Sequence, residues 1–177
     1  MGNKIGLILF IFPLNRTIRA GMHFTLCDYL VDIGENAVSS GAGVVRVHVS
    51  ETPDWFRFEV SDDGSGMSPE VLERARDPFY TDGKKHPGRH VGLGLPFLVQ
   101  GAGAVGGECR IESAPGLGTT VAAAFPLFHL DTPPVGDIPS YCLHLLSCDG
   151  DYELVIDRSR SAGPASETAG TGSVVWR

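Results

Sequence analysis

The stretch "SDDGSGM", Ser61 to Met67, places two carboxylates, Asp62 and Asp63, beside Gly64 and Gly66, immediately after the run "WFRFEV". Asp hydrogen-bonds its own backbone and Gly reaches positive φ freely, so the stretch serves either as a strand-end turn or as a backbone cradle for a ligand. Upstream, Asp32 and Asn36 stand four residues apart in "DIGENA", which puts a carboxylate and an amide on one face of a helix. A carboxylate so placed can take a proton from water or from a hydroxyl. Glu35, about 100° around the same helix from Asn36, reads as a solvated surface acid. Further on, "YTDGKKHPGRHV" carries Lys84, Lys85 and Arg89 ahead of the glycine-rich Gly92, Leu93, Gly94 and Leu95, and "GLGTT" ends in Thr119 and Thr120. Cys142, His144 and Cys148 share one face of an expected strand, but three ligands at loose spacing do not define a metal centre, and they read as packing residues.

The elements that must position these groups follow from hydrophobic period. In "FTLCDYLVDIGENAVSSGA", Leu26, Leu30, Ile33, Ala37 and Val38 recur at helical spacing before a serine and glycine stop. "VVRVHVS" and "WFRFEVS" alternate apolar and polar residues around the turn "ETPD", as paired antiparallel strands do. "SPEVLERARDP" opens with Ser68 as N-cap and Pro69 at the first helical position. The Gly-, Lys- and His-rich segment between Tyr80 and Val91 reads as an exposed loop with the character of a lid. A third helix and two more strands follow, so the expected class is α+β: a two-layer sandwich of helices on a mostly antiparallel mixed sheet. Beyond Pro126 a Pro-rich connector leads to "YCLHLLSCDGDYELVIDR", whose Asp149-Gly150 pair signals a hairpin that would cap an open sheet edge or serve as a docking surface for a partner.

Composition narrows the classes. With 177 residues the chain is long enough for one domain with its own core. Its 14 basic and 21 acidic residues give a net charge of −7, which argues against nucleic acid or an anionic membrane as partner. Four cysteines without CxxC spacing read as reduced thiols in a cytoplasmic protein. The apolar run "KIGLILFIF" is shorter than the ~20 residues a membrane helix needs, and "TIRAGMHF" offers no convincing cleavage site for a signal peptide.

In order along the chain, "DIGENA", "DDGSGM", "DPFYT", "VGLGL" and "GLGTT" resemble the asparagine, glycine and phenylalanine boxes of the GHKL superfamily. That superfamily includes DNA gyrase, mismatch-repair ATPases, chaperone ATPases and sensor histidine kinases. The resemblance runs from about Phe24 to Leu127 and implies the Bergerat fold, with small stand-alone ATP-binding proteins as the most similar members. It implies that Asp62 accepts the exocyclic amine of adenine, discriminating against bases with a carbonyl there. Gly64 and Gly66 would let the backbone approach the ring, with Met67 closing the block. Asn36 would face Mg²⁺, which needs few protein ligands besides waters and phosphate oxygens. Gly92, Leu93, Gly94 and Leu95 would offer backbone N–H groups to the phosphates at a helix N-terminus, with Lys84 adding counter-charge and Thr120 ending the last box.

Asp32 falls where gyrase and mismatch-repair relatives carry a glutamate base and sensor kinases usually an asparagine, so it is the expected catalytic residue. The sequence departs from sensor kinases in having His90 and Val91 before Gly92, and Ser39 where a basic residue is usual. No phospho-acceptor box surrounds any histidine, so the chain does not read as a complete sensor kinase. The expected organisation is an apolar arm or over-extended start over 1–21, a histidine-kinase-like ATPase domain over 22–127, a connector and C-terminal β-hairpin over 128–158, and a disordered tail over 159–177. The expected activity is that of a Mg-ATP-binding ATPase or nucleotide-dependent switch acting on a protein partner. A serine protein kinase resembling anti-sigma-factor kinases and a non-hydrolysing ATP-binding module are the alternatives.

Overall fold

The computed structural model describes residues 25–77, 94–161 and 170–176. Helix α1 (Leu26–Ser39) starts at a capping box, in which Thr25 Oγ1 accepts from the Asp28 N–H at 3.3 Å and Asp28 Oδ2 accepts from the Thr25 N–H at 2.9 Å. The next two N–H groups, of Leu26 and Cys27, donate to the carbonyls of Pro134 and Val135 at 2.8 and 2.9 Å. The Pro-rich connector thus returns to satisfy donors that every helix start leaves open.

Strands β1 (Val44–Glu51) and β2 (Trp55–Asp62) form the expected antiparallel pair, with Val47 opposite Val60. Their alternation is clean. Val45, Val47, Val49, Phe56, Phe58 and Val60 are buried under the helices, and Arg46, His48, Arg57 and Glu59 face outward. Helix α2 (Pro69–Ala75) is capped by Ser68, as its sequence predicts. Helix α3 (Gly94–Ala104), β3 (Glu108–Ala114) and β4 (Gly118–Pro126) complete the segment ending at Pro126. Tyr29 of α1 and Phe58 of β2 both stack on Phe125 of β4, at 5.6 and 6.4 Å between ring centroids. Each such ring withdrawn from water contributes ~1.5–3 kcal/mol.

The C-terminal segment corrects two expectations. Instead of a hairpin over Tyr141 to Arg158, the chain forms helix α4 (Ile138–Leu146) and then strand β5 (Glu153–Arg160), which runs parallel to β1. The spacing of Ile138, Tyr141 and Leu145, all buried, is helical and prevails over the Asp149-Gly150 turn, which joins α4 to β5 instead. Cys142 and His144 therefore lie on a helix. The tail is not disordered throughout, because β6 (Gly170–Trp176) pairs antiparallel with β5. The sheet order is β3-β4-β2-β1-β5-β6, mixed and mostly antiparallel, with α1, α3 and α4 in the second layer. The expected two-layer α+β sandwich is what forms. The N-terminal arm and the segment from Tyr80 to Val91 lie outside the described residues.

α4 is joined to α1 by close packing: a Cβ on Gly34 would stand 2.6 Å from Leu145 Cδ2. His144 Nε2 also meets Glu35 Oε1 at 2.8 Å, so Glu35 turns to α4 rather than standing in solvent alone. Leu145→Ala, at a site with no solvent exposure, is expected to cost ~2–5 kcal/mol in denaturant unfolding. A loss below ~1 kcal/mol would mean that α4 is not seated on α1 as described.

Candidate functional site

The end of α1, the end of β2, the glycine loop after it and the start of β4 enclose a pocket of about 240 Å³. Ile33, Val60 and Val121 supply apolar walls, and Asn36, Ser40, Asp62 and Thr119 supply polar groups. Gly66, Met67 and Leu95 also line it. Strand parity explains the choice of threonine: Thr119 shares a face with buried Val121, Ala123 and Phe125, whereas Thr120 turns to the opposite side of β4. Thr119, not the expected Thr120, therefore lines the pocket.

The two acids of "SDDGSGM" have separate tasks. Asp63 Oδ1 accepts from the N–H groups of Gly43 and Val44 at 2.8 and 2.9 Å, which ties the loop to the start of β1. Those donors, Val44 foremost, hold its carboxyl below the usual carboxylate range. Asp62 faces the pocket, and burial pushes its carboxyl up, opposed by the Gly64 N–H, the Ser40 hydroxyl and the Thr119 N–H. The Gly64 N–H donates to Asp62 Oδ1 at 2.9 Å, and the Ser40 hydroxyl lies 3.1 Å from the same oxygen. One acid of the stretch thus ties the turn to β1, and the other faces the pocket.

The glycines are needed by the protein itself. Gly66 sits at φ +61°, and a Cβ there would lie 1.9 Å from the Ala114 carbonyl oxygen. Gly118, at φ +82°, would place a Cβ 1.9 Å from the Asp62 carbonyl oxygen. The Gly116 N–H donates to the Ser65 carbonyl at 2.8 Å, so the "GLGTT" turn and the "DDGSG" loop pack backbone against backbone. That contact ties the loop to the turn before β4.

Asp32 lies one turn before Asn36 on α1, against the beginning of α3: a Cβ on Gly94 would stand 3.3 Å from Asp32 Oδ2. The pocket thus has a carboxyl on its inner wall, an exposed amide at Asn36, and the first turn of α3 with a second carboxylate beyond. Lys84, Gly92 and Leu93 lie outside the described residues. Ser40 was not singled out by the sequence, where it belongs to a serine cluster that reads only as a helix stop. The cysteines take no part. Burial pushes the Cys27 and Cys109 thiols up to about 12 and about 11, away from nucleophilic reactivity. Among the described residues no helix is long and apolar enough to cross a membrane, and no cluster of His, Cys, Asp or Glu could hold a metal.

Residues 25–129 match the family described as "Histidine kinase-, DNA gyrase B-, and HSP90-like ATPase". The chain is similar to the CAI-1 autoinducer sensor kinase/phosphatase CqsS of Vibrio cholerae, 38% identical over 88 residues, which are 50% of this chain and 12% of that protein. Sporulation kinase C of Bacillus subtilis is 33% identical over 98 residues, 55% of this chain and 22% of the relative. Sensor kinase CckA of Brucella abortus is 34% identical over 87 residues, 48% of this chain and 9% of the relative. The shared segment is less than a quarter of each of these proteins. A match over more than half the chain, on a two-layer sandwich in which Asn36, Asp62, Leu95 and Thr119 line one pocket, places the chain in the histidine kinase-, DNA gyrase B- and HSP90-like ATPase family of the GHKL superfamily, with the Bergerat fold.

Proposed function

We propose that the pocket binds Mg-ATP and that the protein acts as an ATPase or nucleotide-dependent switch for a protein partner. The observation that carries the reading is the carboxyl of Asp62, half-buried in the pocket wall and oriented by Gly64 and Ser40. An acceptor held in that way suits an exocyclic amine, and the walls of Ile33, Val60 and Val121 suit a flat purine ring. The donor set also fits the metal: Asn36 is a neutral oxygen donor on the pocket rim, enough for an ion that keeps waters and phosphate oxygens. When bound, Mg²⁺ would offset the charge of the phosphates.

Asp32, beyond Asn36 and beside the start of α3, is the group placed to take the proton of an attacking water. Lys84, Gly92, Leu93, Gly94 and Leu95 would complete the phosphate end, as the family pattern implies. A second reading is transfer of the γ-phosphoryl group to a hydroxyl of a protein partner; the relatives that are named kinases support phosphoryl transfer, without naming the acceptor. There Asp32 would accept the proton of that hydroxyl instead.

Asp62→Asn keeps the shape of the side chain and replaces the carboxylate. It is expected to lower ATP affinity by ~10–100-fold in isothermal titration, the range for a hydrogen bond to a charged group. Unchanged affinity would remove Asp62 from the base pocket.

The same variant has a stability signature. Because burial raises the folded-state pKa of Asp62, its ionised form opposes folding above that pKa and the opposition vanishes as pH falls through it. Without nucleotide, Asp62→Asn should therefore unfold at a higher temperature than the parent at neutral pH, and this advantage should shrink in acid. A variant less stable at neutral pH would show that the carboxylate is needed structurally.

Asp32→Asn is expected to slow phosphate release by at least ~10²-fold in single-turnover assays with γ-labelled ATP, while ATP binding is retained. Undiminished release would exclude Asp32 as the base.

A further inference from the structure

We propose that Ser40 is the positioning residue for base recognition: its hydroxyl holds Asp62 Oδ1 and thereby sets the preference of the pocket for a 6-amino purine nucleotide over a 6-oxo one. The proposal rests on the reading of Asp62 as the base acceptor.

Ser40 is the C-cap of α1, four residues beyond Asn36, and lines the pocket. Its Oγ lies 3.1 Å from Asp62 Oδ1 and 2.7 Å from the Ala37 carbonyl oxygen. One hydroxyl proton serves two acceptors, and an ionised carboxylate is the stronger of them. The Ser40 carbonyl in turn accepts the Ser65 N–H at 3.1 Å, so this residue grips the glycine loop through both backbone and side chain. Nothing larger than hydrogen fits opposite it: a Cβ on Gly64 would lie 1.8 Å from Ser40 Oγ. Ser40 thus accounts for the first glycine of "DGSG" as directly as Ala114 accounts for the second.

The consequence for specificity comes from which partner the carboxyl can serve. Ionised, it only accepts, and it pairs with an amine; protonated, it can donate, and it tolerates a carbonyl. Ser40 donates to the ionised form and fixes Oδ1, so it opposes both rotation and protonation. Burial works in the other direction, raising the Asp62 pKa, with Ser40 among the groups that lower it. Removing the hydroxyl leaves the carboxyl in place, less well held and more easily protonated.

The test is equilibrium titration of the full chain with Mg-ATP and Mg-GTP across the acid and neutral range, for the parent, Ser40→Ala and Ser40→Cys. The cysteine keeps the shape and weakens the donor, so it carries the test if the alanine variant folds poorly. The expected result is a fall of about tenfold in the ratio of ATP to GTP affinity. In addition, the loss of ATP binding on acidification should begin at higher pH than in the parent, which a purely structural role would not produce. Variants that fold and keep both the parent ratio and the parent acid limb would overturn the proposal. Asp62→Asn separates the two levels. If that variant loses ATP affinity while the Ser40 variants keep the parent ratio and acid limb, the inference about Ser40 alone fails; if Asp62→Asn binds ATP normally, the base-pocket reading fails.

Discussion

The carboxyl of Asp62 is the point at which the structure's main pieces meet. It sits at the end of β2, takes hydrogen bonds from the end of α1 through Ser40 and from the glycine loop through Gly64, and is stabilised in its charged form by the backbone of β4 at Thr119. Burial disfavours its charge, and these donors restore part of what burial takes away. Were any of the three elements displaced, a partly buried carboxylate would lose a partner, and that loss is costlier than the hydrogen bond itself. The sheet register that sets Asp62 opposite Thr119 is therefore part of the site, as much as the side chains are.

The same economy governs the glycines. Gly66 and Gly118 are required because the loop after β2 and the turn before β4 approach each other backbone to backbone, and Gly64 because Ser40 occupies the space beside it. A family pattern of glycines invites the explanation that a ligand needs the room. Here the protein already uses it, and the loop is shaped by its own contacts.

Much of this was legible in the sequence. The period of Leu26, Leu30, Ile33 and Ala37 marked α1, strict alternation marked β1 and β2, and short blocks in order marked the superfamily. What was missed was missed for physical reasons. Asp149-Gly150 is a strong local turn signal, and it obscured the helical spacing of Ile138, Tyr141 and Leu145, whose burial depends on α1, far away in the chain. The parallel pairing of β5 with β1 is likewise non-local, and no short-range pattern encodes it. The choice of Thr119 over Thr120 was recoverable, because the parity of Val121, Ala123 and Phe125 already assigns the inward face. Ser40 carried no such signal: a serine at a helix end is common, and only the fold reveals that it meets Asp62.

The central claim is that Asp62 is the group that reads the base of a bound adenine nucleotide. A crystal structure of the protein with a non-hydrolysable ATP analogue and Mg²⁺ tests it most directly. The account predicts the purine between the walls of Ile33, Val60 and Val121, with its exocyclic amine within hydrogen-bond distance of the Asp62 carboxylate. A purine seated elsewhere, or one that leaves Asp62 without contact, would contradict it.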